Sequence, residues 1–394
     1  MAHHEDERTT MHGVLDLLVE QGLEGMADAM ATMLNEAMKI ERTTVLGAEP
    51  GERSDKRAGY ANGFKPKRVK SRAGLLDLQI PQVRACPDGA PISFYPKSLE
   101  RGLRSERAFK LAIAEMYLQG VSTRKVAEVT RELCGLDVTS VQVSRATAEL
   151  DDQLETWRNR PLGRVPYLLL DARYEKVRHG GSVVDCAVLV AIGVRNDGKR
   201  SILGVSVSLS EAELHWREFL ASLQERGLHG VELVTSDDHK GIKAALASRF
   251  SGTPWQRCQF HLQRNAQAYV PKQELKEPVT RSIRAIFNAT DRRDAEERLA
   301  QTARKYAKAA PKLAHWLETA IPEGLTVFDF PEAHRRRLRT TNVLERLNRE
   351  LKRRTRVATL FPNEASLLRL VSGIAAEISE EWEVGRTYLS MESE

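Results

Sequence analysis

Apolar positions recur along this chain with two periods, and each period predicts a different kind of element. Between residues 11 and 40, Val14, Leu17, Leu18, Met26, Met30, Met33 and Leu34 return at helical spacing. One amphipathic helix follows, its stripe serving a core or a dimer contact. Residues 75 to 84 instead alternate apolar and polar up to Pro81, as a half-exposed strand does. From Glu106 to Leu150 the helical period returns three times. The turn Gln119-Gly120-Val121 separates the first two helices, Ser122 caps the second and Gly135 ends it. Thr139, with Gln142 three positions on, forms a capping box for the third. On that helix Val143, Ala146 and Leu150 face inward, leaving Gln142, Arg145 and Glu149 on another face.

A composition shift at Arg158-Asn-Arg-Pro-Leu-Gly163 opens a second region. Val165 to Leu170 predicts a buried strand, and Val183 to Val194 and Ser201 to Val207 predict two more, joined by an Asn196-Asp197-Gly198 turn. A helix capped by Ser210 and running to about Arg226 turns Leu214, Phe219, Leu220 and Leu223 to the sheet. Val231 to Thr235 supplies the next strand. Helical patterns then cover Arg281 to Ala289, Asp294 to Tyr306 and Pro311 to Ala320, with charges on their outer faces. After Thr340-Thr341-Asn342, any of which can cap a helix, Leu344, Leu347 and Leu351 recur at spacings of three and four. Residues 363 to 384 predict a closing helix that supports the core.

The balance of 60 Lys and Arg against 54 Asp and Glu, a net charge of +6, suits contact with a polyanion only mildly. Where the charge gathers matters more. Residues 51 to 74 interleave Arg53, Lys56, Arg57, Lys65, Lys67, Arg68, Lys70 and Arg72 with Gly59, Tyr60, Gly63 and Phe64. That composition predicts a mobile basic segment or a hairpin. There Lys65, Lys67 and Arg68 are candidates to neutralise phosphates, and a solvated loop is the plainer alternative. On the third helix of the 106–150 region, Gln142, Ser144 and Arg145 are placed to reach base edges or phosphates, against simple three-helix packing. Near the C-terminus Arg346, Arg349, Lys352, Arg353, Arg354 and Arg356 crowd one helix, an arrangement that bound DNA would relieve.

Four widely spaced cysteines form no secreted-domain framework, and the N-terminal residues carry no basic segment followed by an apolar stretch. No apolar run reaches membrane-spanning length, and no Gly-Lys-Ser/Thr phosphate loop is present in the sequence. The expectation is a cytoplasmic protein, associated with the nucleoid when bound to DNA, that uses no membrane and no nucleotide cofactor.

Three carboxylates carry the candidate chemistry. Asp171 and Asp237 end apolar strand-like runs, and Glu345 sits on the basic helix. Hard cations such as Mg²⁺ take oxygen ligands and keep several waters, so a few carboxylates plus substrate phosphate oxygens complete their shell. Two such ions activate an attacking oxygen and stabilise a leaving one. Asp238 competes with Asp237, and Glu350 and Glu364 compete with Glu345. His239 and Lys240 begin the helix after Asp237 and are candidates for substrate contact, with a plain surface role as the alternative. Cys258 and His261 form a Cys-x-x-His pair, but structural zinc wants four ligands and no second pair lies nearby.

Four ordered blocks, Tyr167-Leu-Leu-Leu-Asp171-Ala-Arg-Tyr-Glu-Lys176, Val234-Thr-Ser-Asp237-Asp-His-Lys-Gly241, Trp255-Gln-Arg-Cys258-Gln-Phe-His261 and Thr340-Thr-Asn-Val-Leu-Glu345-Arg-Leu-Asn-Arg349, closely resemble one family. It is the DDE transposases of bacterial insertion sequences, in the insertion-sequence 256 branch related to eukaryotic Mutator elements, and the resemblance runs from about Arg57 to Tyr388. It implies an α/β fold: an RNase H-like mixed-sheet catalytic core with an all-α insertion, preceded by a mainly helical DNA-binding region. The corresponding segments are 1–50 (helical), 51–100 (basic segment and small β-element), 101–158 (helix-turn-helix-like), 159–262 (first part of the core), 263–330 (helical insertion) and 331–394 (C-terminal part of the core).

The resemblance further implies that Asp171, Asp237 and Glu345 hold the metals, two Mg²⁺ or Mn²⁺ ions. Asp238 then fills a variable slot and reads as a helix cap. Cys258 and His261 lie beside the pocket and position substrate. Expected partners are the terminal inverted repeats of an element, target DNA, and further copies of the chain as a homodimer or larger assembly. The expected reaction is cleavage by activated water and joining of the exposed 3′-hydroxyl. A nuclease using water alone, or a DNA-binding regulator without chemistry, remains an alternative reading of the residues themselves.

Overall fold

The computed structural model describes residues 2–86, 91–99, 101, 105–356 and 360–391, with side chains from residue 11 onward. The chain divides into two compact units, Met1–Leu150 and Asp151–Glu394.

In the first unit the predicted single helix is two, α1 (Ala2–Gln21) and α2 (Met26–Leu46), separated by a 3₁₀ turn over Gly22–Gly25. The reason is local: Gly22 adopts φ +61°, where glycine alone is unstrained. Two antiparallel strands follow, β1 (Gly59–Ser71) and β2 (Gly74–Ala85). The basic segment is therefore the first arm of a hairpin. Alternation on β2 buries Leu76, Leu78 and Ile80 together with Val69 of β1 and Ala31 and Met38 of α2. Much of β1 stays wet, with Phe64, Lys65 and Arg68 exposed.

Helices α3 (Arg107–Leu118), α4 (Thr123–Cys134) and α5 (Ser140–Ala148) complete this unit. Ser122 accepts from the Lys125 amide, Gly135 takes the left-handed C-cap, and both bonds of the Thr139–Gln142 capping box form. Val126 and Val143 are fully buried between the three helices. Helix α5 stops before Leu150, so Thr147 rather than Leu150 completes its inward face.

The second unit begins with α6 (Asp151–Arg158), held to the C-terminal helix by Arg369, which donates to both Asp151 oxygens at 2.6 and 2.7 Å. Next come β3 (Tyr167–His179), β4 (Ser182–Val194), β5 (Arg200–Ser208), α7 (Glu213–Glu225), β6 (Leu233–Ser236), α8 (Lys240–Arg249) and β7 (Trp255–Arg257). The sheet order is β5-β4-β3-β6-β7, with β4 alone antiparallel to its neighbours. Strand β7, three residues long, had no distinct signal in the hydrophobic pattern.

Two expectations for α7 fail. Ala212 rather than Ser210 is the N-cap, and Leu214 points to solvent. The helix starts two residues later than expected, and Trp216 joins Phe219, Leu220 and Leu223 on the inner face. A run of helices follows: α9 (Gln259–Ala266), α10 (Gln273–Phe287), α11 (Arg292–Tyr306), α12 (Pro311–Ala320), α13 (Glu332–Leu338), α14 (Asn342–Thr355) and α15 (Glu364–Val384). The last packs on β5, where Ser379 Oγ accepts the Ile202 amide at 3.0 Å. Among the described residues no helix is long and apolar enough to cross a membrane.

The β4–β5 turn shows how tightly the C-terminal segment is fitted. Gly198 has φ +73°, its carbonyl accepts the amides of Tyr388 and Leu389, and an added Cβ would lie 1.8 Å from the Leu389 oxygen. Gly198→Ala is expected to cost about 2–3 kcal/mol, from the left-handed backbone and the clash together. Chemical unfolding of the purified variant measures it.

Candidate active site

Asp171 does not end its strand. It sits inside β3, paired with Val190 of β4, and the strand continues to His179. What ends near it is the other side of the ladder: the parallel pairing with β6 stops at Leu169 and Thr235. Asp171 therefore lies where β3 loses its β6 neighbour, and Asp237 directly follows the last residue of β6.

Helix α14 closes on this edge. Asn348 Nδ2 donates to Asp171 Oδ2 at 2.8 Å, and Arg173 Nη1 donates to the Asn348 carbonyl at 2.6 Å. Leu344, Leu347 and Leu351 are buried along an adjoining stripe of the helix. Glu345 is three residues before Asn348, so it shares the face that meets β3. Its Oε1 lies 3.9 Å from His261 Nε2, and no ion pair joins it to Arg349 among the described residues.

The electrostatics are those of crowded acids. Asp171 is 8% exposed, and burial, then the charge of Asp237, push its carboxyl up to about 7, with His261 opposing. Burial and crowding both disfavour the charged form. The pKa of His261 is raised, chiefly by the neighbouring Cys258 thiol and further by Asp171 and Asp237. Asp237 Oδ1, Glu345 Oε1 and His261 Nδ1 are buried without a hydrogen-bond partner. Buried polar atoms are ordinarily satisfied, so such a concentration at one site calls for an explanation.

A divalent cation would supply one. Oxygens from Asp171, Asp237 and Glu345 are the donor type that Mg²⁺ or Mn²⁺ takes, and the unpartnered carboxylate atoms are what a cation would satisfy. The described residues contain no group of three or more His, Cys, Asp or Glu side chains already arranged to hold a metal ion. The fit thus rests on donor chemistry and unspent oxygens rather than on a closed cage.

Cys258 links three parts of the site. It is the N-cap of α9, its amide donates to the Ser236 carbonyl at 2.8 Å, and its sulfur receives the Thr341 amide and hydroxyl at 3.4 and 3.3 Å. The end of β6, the head of α14 and the helix bearing His261 are held by one buried residue. Thr341 consequently stands at the N-cap of α14 with its hydroxyl turned to Cys258 rather than to the helix amides.

Asp238 is not the cap of α8. His239 is, its ring accepting the Gly241 amide at 3.2 Å. Asp238 instead pairs with Lys243 and buried Arg257 at 3.2 and 3.0 Å, and Glu323 meets the same two cations. This network fixes the loop that carries Asp237. Lys240 is exposed at the start of α8.

Sequence reasoning missed Glu211 and Asn348. Glu211, its side chain 8% exposed, accepts from Tyr174 Oη at 3.1 Å and faces His239 Nδ1 at 3.2 Å. Its carboxyl is raised by burial, and Asp237 adds to the rise. Gly241 lets this corner close, since a Cβ there would lie 2.6 Å from the Glu211 backbone carbonyl oxygen. An acidic residue just before a core helix was the available signal.

The rival acids have other partners. Glu350 is engaged by Arg353 and Arg354, which hold its carboxyl down to about 2, Arg353 foremost. Glu364 hydrogen-bonds His179. Arg354 is buried and grips Glu377 as well, so part of the positive charge expected to need DNA is neutralised within the fold. Arg354→Met is expected to cost about 2–3 kcal/mol, because it removes the buried guanidinium that bridges the Glu350 and Glu377 carboxylates. Urea unfolding tests it.

Of the candidate DNA contacts, Lys65, Ser144, Arg145, Arg346, Arg349 and Lys352 are exposed. Arg68 pairs with Asp77, Arg353 with Glu350, and Lys67 donates to Tyr95 Oη at 3.0 Å. The Gln142 side-chain oxygen serves the α5 cap.

Comparison with known proteins agrees along nearly the whole chain. Residues 4–385 match the family model described as transposase, Mutator family. The chain is 55% identical over 386 residues to the transposase for insertion sequence element IS406 of Burkholderia multivorans, covering 98% of each. It is 39% identical to the transposase for ISRM5 of Rhizobium meliloti, over 98% of this chain and 95% of that one. It is 36% identical over 361 residues to the transposase for IS256 in transposon Tn4001 of Staphylococcus aureus, covering 90% of each. With its blocks of acids in order on β3, after β6 and on α14, this chain belongs to the Mutator family of transposases.

Proposed function

We propose that the protein is the DNA transposase of an insertion sequence, cutting and joining DNA strands at a metal site formed by Asp171, Asp237 and Glu345. The observation that carries this reading is the set of unpartnered carboxylate oxygens on Asp237 and Glu345 beside the buried, electrostatically crowded Asp171. The sheet supports it. Three consecutive strands, a crossover helix and further parallel strands, in the order β5-β4-β3-β6-β7 with β4 alone reversed, are compatible with an RNase H-like core.

When bound, two Mg²⁺ or Mn²⁺ ions would activate a water or a 3′-hydroxyl and stabilise the oxygen leaving phosphorus. The chain's own residues perform the remaining work. Asn348 and the Ala172 amide orient Asp171, at 2.8 and 3.0 Å. His261 stands 3.9 Å from Glu345 Oε1, and Cys258 keeps its helix in register with β6. Exposed Arg346, Arg349 and Lys352 lie on the Glu345 helix, where phosphates would pass, and Lys65, Ser144 and Arg145 offer contacts for the element's terminal repeats. Joining two ends calls for at least a dimer.

The test uses duplexes bearing the inverted repeats that flank the gene. Full-length protein is expected to nick them at the repeat tips and join the new 3′-ends to target DNA with Mg²⁺ or Mn²⁺, and to do neither in EDTA. Cleavage without joining points to a nuclease, and binding without either to a regulator. Equal joining in EDTA would remove the metal site altogether.

A further inference from the structure

We infer that the cleft between α9, α10 and the loop entering α14 receives a single unstacked nucleobase of the DNA being processed, with Phe260 as its stacking surface. The inference rests on the transposase reading in one respect only, that DNA is the polymer at this site.

The cleft has a volume of about 210 Å³, and its lining includes Phe260, Gln263, Arg284, Asn288, Arg339 and Asn342. That is small for a drug-sized ligand, which usually needs ~300 Å³ or more. One planar ring system is a better match. Phe260 is 44% exposed although it sits beside the site, with its ring centroid 5.6 Å from that of His261. Phe287, 6% exposed, gives the cleft a second aromatic surface. An aromatic face left open to water beside a phosphate-processing centre is the feature that base stacking uses.

The polar rim fits the same ligand. Gln263, Arg284 and Asn342 side chains bond to nothing else among the described residues, so their donors and acceptors remain available. Asn288 spends its oxygen on Arg339 at 2.8 Å and keeps its amide hydrogens. Amides can both give and take hydrogen bonds, as base edges require, while the two guanidiniums suit the flanking phosphates. No acidic side chain lines the cleft, which disfavours a cation or a basic peptide. Position completes the case: Phe260 immediately precedes His261, and Asn342 lies three residues before Glu345. A base taken out of the stack here would fix the register of its own phosphate against the acids. Enzymes that need access to a nucleotide inside a duplex commonly extrude it in this way.

The experiment uses full-length protein and flanking-repeat duplexes carrying 5-iododeoxyuridine at successive positions around the repeat tip, irradiated in EDTA, plus a duplex with one unpaired 5-iododeoxyuridine. The expected result is a crosslink that peptide mapping places on Phe260, from one position in the repeat series and from the unpaired base. Phe260→Ala should lower that crosslink at least tenfold with an unchanged melting temperature. In Mg²⁺ the variant should cut intact duplex slowly, and an abasic nucleotide at the crosslinking position should restore its rate, because no base then needs a platform. Crosslinks that map elsewhere, or that persist in Phe260→Ala, overturn the pocket. Wild-type protein that cuts and joins without a Phe260 crosslink rejects the pocket and keeps the transposase reading. A Phe260 crosslink to the unpaired base in protein that never cuts rejects the transposase reading and keeps the pocket.

Discussion

Asp171→Asn is expected to yield a folded protein that binds DNA but cuts and joins it at least about 10³-fold more slowly. The amide keeps the shape of the carboxyl and can still accept one of its two bonds, from Ala172 or Asn348. What disappears is the negative charge that would hold a cation. Stability should move the other way. The Asp171 carboxyl rises from 3.8 to about 7 in the folded protein, so deprotonation is easier in the unfolded chain. A native pKa above the unfolded one means that metal-free wild type loses stability as pH climbs through that window, by a few kcal/mol at most. Asp171→Asn should lack this loss. Thermal unfolding in EDTA at pH 5 and pH 8 measures the difference, and strand-joining assays on the same samples measure the activity. A variant that unfolds more readily at pH 8 than wild type would remove the crowded-acid account of this site.

Sequence patterns carried much of this architecture because the elements involved are locally determined. Thr139 and Gln142 cap α5 through neighbours three residues apart, and β2 buries Leu76, Leu78 and Ile80 by simple alternation. The strands bearing Asp171 and Asp237 were legible as apolar runs, although the extent of β3 was not. Its second half depends on pairing with β4 through to His179 and Ser182, a contact that apolar content does not encode. Side-chain partnerships between distant segments were the least visible. Nothing near Cys258 in sequence indicates that it receives hydrogen bonds from Thr341, and Asp238 looked like a cap because its partners Lys243 and Arg257, which Glu323 shares, meet only after folding. Glu211 escaped notice for the same reason: its neighbours Tyr174 and His239 come from a different strand and a different helix.

Glu345→Gln is expected to match Asp171→Asn in lost joining, whereas Glu350→Gln and Glu364→Gln should stay within a few-fold of wild type per folded molecule. The distinction follows from what each carboxylate touches. Glu345 Oε1 is buried with no hydrogen bond, 3.9 Å from His261, and it sits one helical turn before the asparagine that holds Asp171. Glu350 already has two arginines, and Glu364 has His179 near the surface. Removing Glu350 therefore costs stability, about 1–2 kcal/mol, because Arg353 and Arg354 lose a common partner. Catalysis should be spared. Mn²⁺ titration followed by electron paramagnetic resonance provides a readout that does not depend on turnover: wild type and Glu350→Gln should bind the ion alike, while Glu345→Gln binds it at least tenfold more weakly. Substituting Asp for Glu345 keeps the charge but withdraws it by one methylene, and because α14 is pinned to β3 through Asn348, the helix cannot slide to compensate. Glu345→Asp should accordingly recover part of the Mn²⁺ affinity and little of the joining. Full joining by Glu345→Gln, together with its loss in Glu350→Gln, would move the third ligand one and a half turns along the helix.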